Sequence, residues 1–201
     1  MAVAAITRID GAWGGGPILL SCSENRAAPP CGTIDSRIRA LGAREPASHK
    51  RRAMQTDSIP DKRDTPACLI LRTDGASRGN PGHAAAGIVI ETPDGEIVAH
   101  GKLYLGVMTN NQAEYRALIL GLKSVARYHP ALVRVYMDSD LVVKQMRGVY
   151  KVRHPDLEPL WREARQLVSA LPAVTFDQTP RAQNALADRL ANEALDERDQ
   201  R

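Results

Sequence analysis

The stretch Cys68-Leu-Ile-Leu-Arg-Thr-Asp-Gly-Ala-Ser-Arg-Gly-Asn-Pro-Gly82 decides how the rest of the chain is arranged. Leu69, Leu71 and Thr73 alternate with Ile70, Arg72 and Asp74, the pattern of a mostly buried strand. Gly75, Gly79, Asn80, Pro81 and Gly82 then predict a tight turn directly after Asp74. A carboxylate at the end of a buried strand, facing a turn of exposed backbone amides, can hold a metal ion and a phosphate. An Asp-Gly pair also ends many strands simply because it turns well. The meaning of Asp74 therefore depends on the acids further along.

Downstream, residues 84–91 and 96–105 read as two more strands joined by the turn Thr92-Pro-Asp-Gly95, which predicts an antiparallel meander. Residues 109–128 carry Leu118, Leu122 and Val125 on one helical stripe, with Ala113, Ala117 and Leu120 beside it; His129-Pro130 closes that helix. A strand at 132–137 follows. Asp138-Ser-Asp140 then starts a helix to about Arg147, which Gly148 stops. A helix at 157–171, a strand at 173–178 and a helix at 182–197 complete the order βββαβααβα. This predicts an α/β fold: a five-stranded mixed sheet, three strands antiparallel and two parallel, flanked by helices. The first, fourth and fifth strands lead into loops or helices at one sheet edge, where sites form in such folds.

Upstream of Pro66 the chain reads differently. Residues 1–64 have no sustained period, with Gly14-Gly-Gly-Pro17 and Pro29-Pro30 among scattered Ala and Arg. They are expected to be disordered, or to lie upstream of a true start at Met54. The folded domain is expected at 65–201. The whole chain of 201 residues has a net charge of +4, of which residues 65–201 contribute +1. A polyanion-binding face in that domain must then be local. No apolar run approaches the roughly 18 residues needed to span a bilayer, which argues against a membrane partner. The three cysteines, Cys22, Cys31 and Cys68, fit no zinc spacing. Cys68 reads as a buried thiol, and the chain as reduced and cytoplasmic.

Four acids fall at comparable places: Asp74 at the end of the first strand, Glu114 near the start of the first helix, Asp138 at the end of the fourth strand and Asp188 in the last helix. Each has a plain alternative role. Asp74 suits a turn, Glu114 the far half of a capping box with Asn111, Asp138 a helix cap and Asp188 an exposed helix face. Glu114, however, shares its stripe with Leu118, Leu122 and Val125, and Asp188 lies in line with Ala191 and Leu195. Acids pointed inward from helices beside acids on strand ends are costly unless a cation neutralises them. An all-oxygen set without Cys or His suits Mg²⁺, with Mn²⁺ as a substitute. Two such ions about 4 Å apart can activate a water and stabilise a leaving oxygen in phosphodiester hydrolysis.

The segments Thr73-Asp-Gly-Ala-Ser-Arg-Gly-Asn-Pro-Gly82, Thr109-Asn-Asn-Gln-Ala-Glu-Tyr115, Val135-Tyr-Met-Asp-Ser-Asp140 and Arg181-Ala-Gln-Asn-Ala-Leu-Ala-Asp-Arg-Leu190 closely resemble type 1 ribonuclease H, over residues 66–197. The resemblance implies a five-stranded mixed sheet and the catalytic, metal-binding set Asp74, Glu114, Asp138 and Asp188. It implies hydrolysis of the RNA strand of RNA–DNA hybrids, leaving 5′-phosphate and 3′-hydroxyl ends. It also implies hybrid contacts from Gly75, Ser77, Asn80, Asn110 and Asn111, and a phosphate contact on the DNA strand from Thr109. Double-stranded RNA as an added substrate and a catalytically silent hybrid-binding module are the alternatives. A monomer is expected. Two departures stand out. Many members of the family carry a His before the last helix, where this chain has Gln178-Thr-Pro-Arg-Ala-Gln-Asn184, so Arg181 is the candidate for that place. The loop at 148–156 is short, with Lys151, Arg153 and His154 its basic group, as in the compact archaeal-like and actinobacterial-like branch.

Overall fold

This computed structural model describes residues 66–200, together with the backbone of two strands nearer the N-terminus. Those are β1 (Ala5–Ile9) and β2 (Ile18–Cys22), followed by β3 (Cys68–Gly79), β4 (Gly82–Glu91) and β5 (Ile97–Met108). Next come α1 (Asn110–Ala126), β6 (Leu132–Met137), α2 (Asp140–Met146), α3 (Glu158–Ser169) and β7 (Val174–Gln178). A 3₁₀ turn at Arg181–Asn184 leads into α4 (Ala185–Asp199). From β3 onward this is the expected order. β5, β4 and β3 pair antiparallel, then β6 and β7 add in parallel, giving the five-stranded mixed sheet.

Two expectations are corrected. In the N-terminal segment, where the sequence predicts disorder, β1 and β2 form an antiparallel hairpin, and β2 pairs with the outer edge of β5 through Leu19↔Lys102 to Cys22↔Ala99. The sheet thus has seven strands, in the order β1-β2-β5-β4-β3-β6-β7. Five residues per strand is too short for a period-2 pattern to stand out between Gly- and Pro-rich neighbours. The rest of the segment, including Met54 and Cys31, lies outside the described residues. The second correction concerns β3. It does not stop at Asp74 but pairs with β4 as far as Gly79↔Gly82, and the tight turn sits at Asn80-Pro81, joined by a cis peptide. What ends near Asp74 is the other pairing: β6 leaves β3 after Arg72↔Tyr136. Cys68 is half-buried rather than buried.

The helices cover both faces. α1 lies over β3 and β4, with Leu118, Leu122 and Val125 fully buried in a core shared with Leu69, Leu71, Val133, Val135 and Met137. Each such side chain contributes roughly 1.5–3 kcal/mol by leaving water. α2 and α3 extend that layer, and the Tyr115 hydroxyl donates to Gln145 Oε1 at 2.8 Å inside it. α4 lies on the opposite face, where Ala187 and Leu190 pack on Val89 and Ala194 and Leu195 on Ala85.

Two glycines let these helices approach the sheet closely. A Cβ on Gly75 would lie 2.3 Å from the Ala113 carbonyl carbon and the Glu114 nitrogen of α1. A Cβ on Gly87, the cross-strand partner of Asp74, would lie 2.0 Å from the Ala187 carbonyl oxygen of α4. Both helices therefore rest on bare backbone beside Asp74.

Candidate active site

Asp74 sits where β3 outruns β6, so its flank is open at the edge of the sheet. It is nonetheless only 4% exposed. Asp138 follows β6 directly, and Glu114 descends from α1 onto the same spot. One carboxylate oxygen from each of Asp74, Glu114 and Asp138 lies within 4.8 Å of the others. Local structure explains why Glu114 is free to do this. The capping box of α1 is made by Thr109 and Gln112: Thr109 Oγ1 accepts from the Gln112 N–H at 3.4 Å, and the Thr109 N–H donates to Gln112 Oε1 at 2.8 Å. The expected pairing of Asn111 with Glu114 is not the one used. Instead the carboxylate of Glu114 accepts a hydrogen bond from the Gly75 N–H. Asp138 is likewise not a helix cap; Ser139 occupies the N-cap position of α2 without a side-chain cap bond.

Burial and mutual repulsion raise the proton affinity of all three acids. Desolvation and the charges of Asp138 and Asp188 push Asp74 up to about 7. Desolvation, then Asp74 and Asp138, hold Glu114 well above the usual carboxylate range. Asp138 is raised as well, mainly by burial. Glu114 Oε2 and Asp138 Oδ1 are buried with no hydrogen-bond partner. Buried acceptors without donors, converging from three elements in an all-oxygen set, fit a hard divalent cation.

Asp188 is close enough to raise the proton affinity of Asp74, but it stands outside the group of three. Arg181 holds it: Nε donates to Asp188 Oδ1 at 3.1 Å, and a second guanidinium nitrogen bonds the same oxygen. The same guanidinium lowers the proton affinity of Asp74, Glu114 and Asp138, so one exposed cation serves the whole cluster.

The other predicted site residues collect at the N-terminal end of α1. Asn80 Oδ1 accepts from the Asn110 N–H at 3.2 Å, which ties the β3–β4 turn to the helix start, and Asn80, Asn110 and Asn111 are exposed. Thr109 is occupied as a cap. The Ser77 hydroxyl donates internally, with the carbonyl oxygens of Gly79 and Met108 at 2.5 and 3.1 Å. Gly75 acts through its N–H and its missing side chain.

Sequence reasoning missed Asn184 and Gly87. Asn184 is fully buried, and its Nδ2 donates to the Thr73 carbonyl at 2.9 Å, fixing the start of α4 against β3 one residue before Asp74. An Asn between Pro180 and a helix reads as a cap, and only its fold-level partner separates the two roles. Gly87 lies in an Ala-rich strand, where a glycine looks like mere dilution; a buried glycine next to a functional register was the available signal.

A mixed sheet of this order, with carboxylates gathered where β3 outruns β6, defines a ribonuclease H-like domain. The family follows from comparison. The model of the reverse transcriptase-like family matches residues 72–194, and the chain belongs to that family. Ribonuclease HI of Halobacterium salinarum is 47% identical over 124 residues, covering 62% of each chain. A crystal structure of RNase H1 from that archaeon matches with a TM-score of 0.63 over 65% of this chain and 98% of that one. A bifunctional protein of Mycobacterium tuberculosis is 46% identical over 129 residues, 64% of this chain and 35% of its own length. LC11-RNase H1, isolated from compost by a metagenomic approach and solved in complex with an RNA/DNA hybrid, is 40% identical with a TM-score of 0.62, over 64% of this chain and 97% of that one. The chain thus spans about a third of one curated relative and under two thirds of another. Among the described residues no helix is long and apolar enough to cross a membrane.

Proposed function

We propose that residues 65–201 form a metal-dependent endoribonuclease domain that hydrolyses the RNA strand of RNA–DNA hybrids, leaving 5′-phosphate and 3′-hydroxyl ends. The observation that carries this reading is the convergence of Asp74, Glu114 and Asp138 within 4.8 Å, two of them with orphaned buried oxygens. The likeness to an RNase H1 solved with an RNA/DNA hybrid supports the substrate. Asp74, Glu114, Asp138 and Asp188 are the proposed holders of two Mg²⁺ ions, or Mn²⁺ in their place. Such ions supply an acidified water and neutralise charge at the scissile phosphate.

The chain's own residues divide the remaining work. Asp74 and Asp138 sit centrally and would be shared; Glu114 and Asp188 serve the two sides. Glu114 is aimed by the Gly75 N–H. Arg181 is exposed, so it can leave Asp188 and meet a phosphate. The exposed amides of Asn80, Asn110 and Asn111 suit the wide minor groove of a hybrid, where 2′-hydroxyls and base edges are accessible. Thr109, at the start of α1 beside the Asn111 N–H, suits a phosphate of the DNA strand. Gly75 and Ser77 lie along the backbone of the RNA strand in this reading. The domain acts as a cytoplasmic monomer.

The test is cleavage of an end-labelled RNA–DNA hybrid with and without Mg²⁺ or Mn²⁺, beside Asp74→Asn and a matched RNA duplex. Metal-dependent cutting of the RNA strand, reduced at least 10³-fold in the variant, is the expected result, a loss of roughly 4 kcal/mol in transition-state stabilisation. Cutting of the RNA duplex as well would widen the substrate class. Binding of hybrid without cutting under any metal would overturn the enzymatic reading.

A further inference from the structure

The sheet ends on a bare edge on the side away from the β1–β2 hairpin. Among the described residues β7 pairs only with β6, so one side of its backbone is free to pair again. The five residues of β7 include no proline or lysine that would blunt such an edge. A groove of about 580 Å³ follows this strand and is lined from both faces of the sheet. On the face covered by α2 and α3, Val168, Val174 and Phe176 form an apolar wall beside Arg147 and Arg165. On the opposite face lies Arg134, which alternates with the core residues Val133 and Val135 along β6. Among the described residues none of these three arginines is paired with a carboxylate, and Arg165 donates to the Met146 carbonyl at 3.3 Å. Asp177 is the single acid of the lining.

An added strand points successive side chains to opposite faces. Here each face presents arginine, and one also presents an apolar wall. We propose that the β7 edge is a docking site for an extended acidic segment of a partner protein. The segment adds as a further strand, with carboxylates on Arg134 and on Arg147 and Arg165, and an apolar side chain against Val168 and Phe176. Charge selects this occupant. A second copy would bring three more arginines to the same edge. A nucleic-acid strand would satisfy the arginines but leave the strand amides and the apolar wall unused. None of the site acids lines the groove, so docking and catalysis are separable.

The test is fluorescence anisotropy with the full chain and a labelled ten-residue peptide of repeating Glu-Glu-Val-Glu, which as a strand puts glutamates on both faces and valines on one. The expected result is saturable binding, weakened at least tenfold in a variant combining Arg134→Glu with Arg147→Glu, and weakened severalfold in Arg147→Glu alone, which changes one exposed residue. A lysine–valine peptide should bind at least tenfold more weakly. Methylating alternate backbone nitrogens of the acidic peptide, which keeps its charge, should also weaken binding at least tenfold if it pairs as a strand. Absence of saturable binding to the folded chain, equal binding by the arginine variants, or equal binding by the methylated peptide would overturn the proposal. So would a dimer in sedimentation that the arginine substitutions dissociate, or a twelve-residue oligothymidylate that alone binds through these arginines.

Discussion

At the scale of single residues, the site is a set of acids held against their own preference. Asp74 is protonated more readily in the folded chain than in the unfolded one, its ordinary value being 3.8 and its folded value about 7. The folded state therefore binds the extra proton, and its contribution to stability is fully present below about pH 4 and lost as pH rises through about 7. Metal-free protein should show a falling melting temperature across that window, and Asp74→Asn should flatten the fall. At pH 8 the variant should be the more stable by about 2–4 kcal/mol, judged from a shift of about three pK units at about 1.4 kcal/mol each. Thermal unfolding in EDTA at a series of pH values checks this; an unchanged slope in the variant would remove Asp74 as its source. Asn184→Ala should cost about 1–3 kcal/mol, because it leaves the Thr73 carbonyl unsatisfied in the interior. It should also lower cleavage by loosening Asp188, which urea unfolding and the hybrid assay together measure. The three acids that the structure gathers, Asp74, Glu114 and Asp138, were legible in sequence, Glu114 because its spacing put it on an apolar helix face and the other two because they end strands. Asn184 was not, because the partner that defines it lies 111 residues away.

At the scale of elements, boundaries were harder to read than faces. The buried stripe of α1 emerged as its spacing predicts. β3 did not, because Gly-Ala-Ser-Arg-Gly reads as a turn when taken alone. Its small residues are instead what allows α1 and α4 to close on a continuing strand. Gly87→Ala tests this reading. The added methyl meets the carbonyl of Ala187, so α4 must move outward and carry Asp188 with it. The expected outcome is a loss of about 1–3 kcal/mol in stability. A fall in cleavage of tenfold or more should accompany it, in line with the sensitivity of catalysis to misplacements of about 1 Å. Full cleavage in a destabilised Gly87→Ala would show that α4 does not set the position of Asp188. Helix caps were similarly ambiguous from sequence: Thr109, Asn110 and Asn111 are all capping types, and only the bond to Gln112 selects the first.

At the scale of the whole molecule, five strands and their helices were legible, and the β1–β2 hairpin was not. The family match covers residues 72–194 and leaves that hairpin outside it. Residues 65–201 produced alone should keep the far-UV circular dichroism of the mixed sheet and cleave hybrids within about threefold of the full chain. The reason is that β2 pairs with the outer edge of β5, so that β5 and β4 lie between it and the strand that carries Asp74. A larger loss would make the hairpin part of the catalytic unit. Because residues 65–201 carry a net charge of only +1, binding should rest on few phosphate contacts. The affinity for hybrid should then fall with salt by a log–log slope no steeper than about −4, in proportion to the contacts made.

The two glycines that let α1 and α4 rest on the sheet have a metrological consequence. Glu114 and Asp188 ride on helices that rest on opposite faces of the same two paired strands, each against bare backbone, so that a single sheet layer stands between them there. The spacing of the acids is in that sense gauged against the backbone itself. The apolar layers on either side can exchange one hydrophobe for another, and drift in stability as they do, while the gauge stays at its setting.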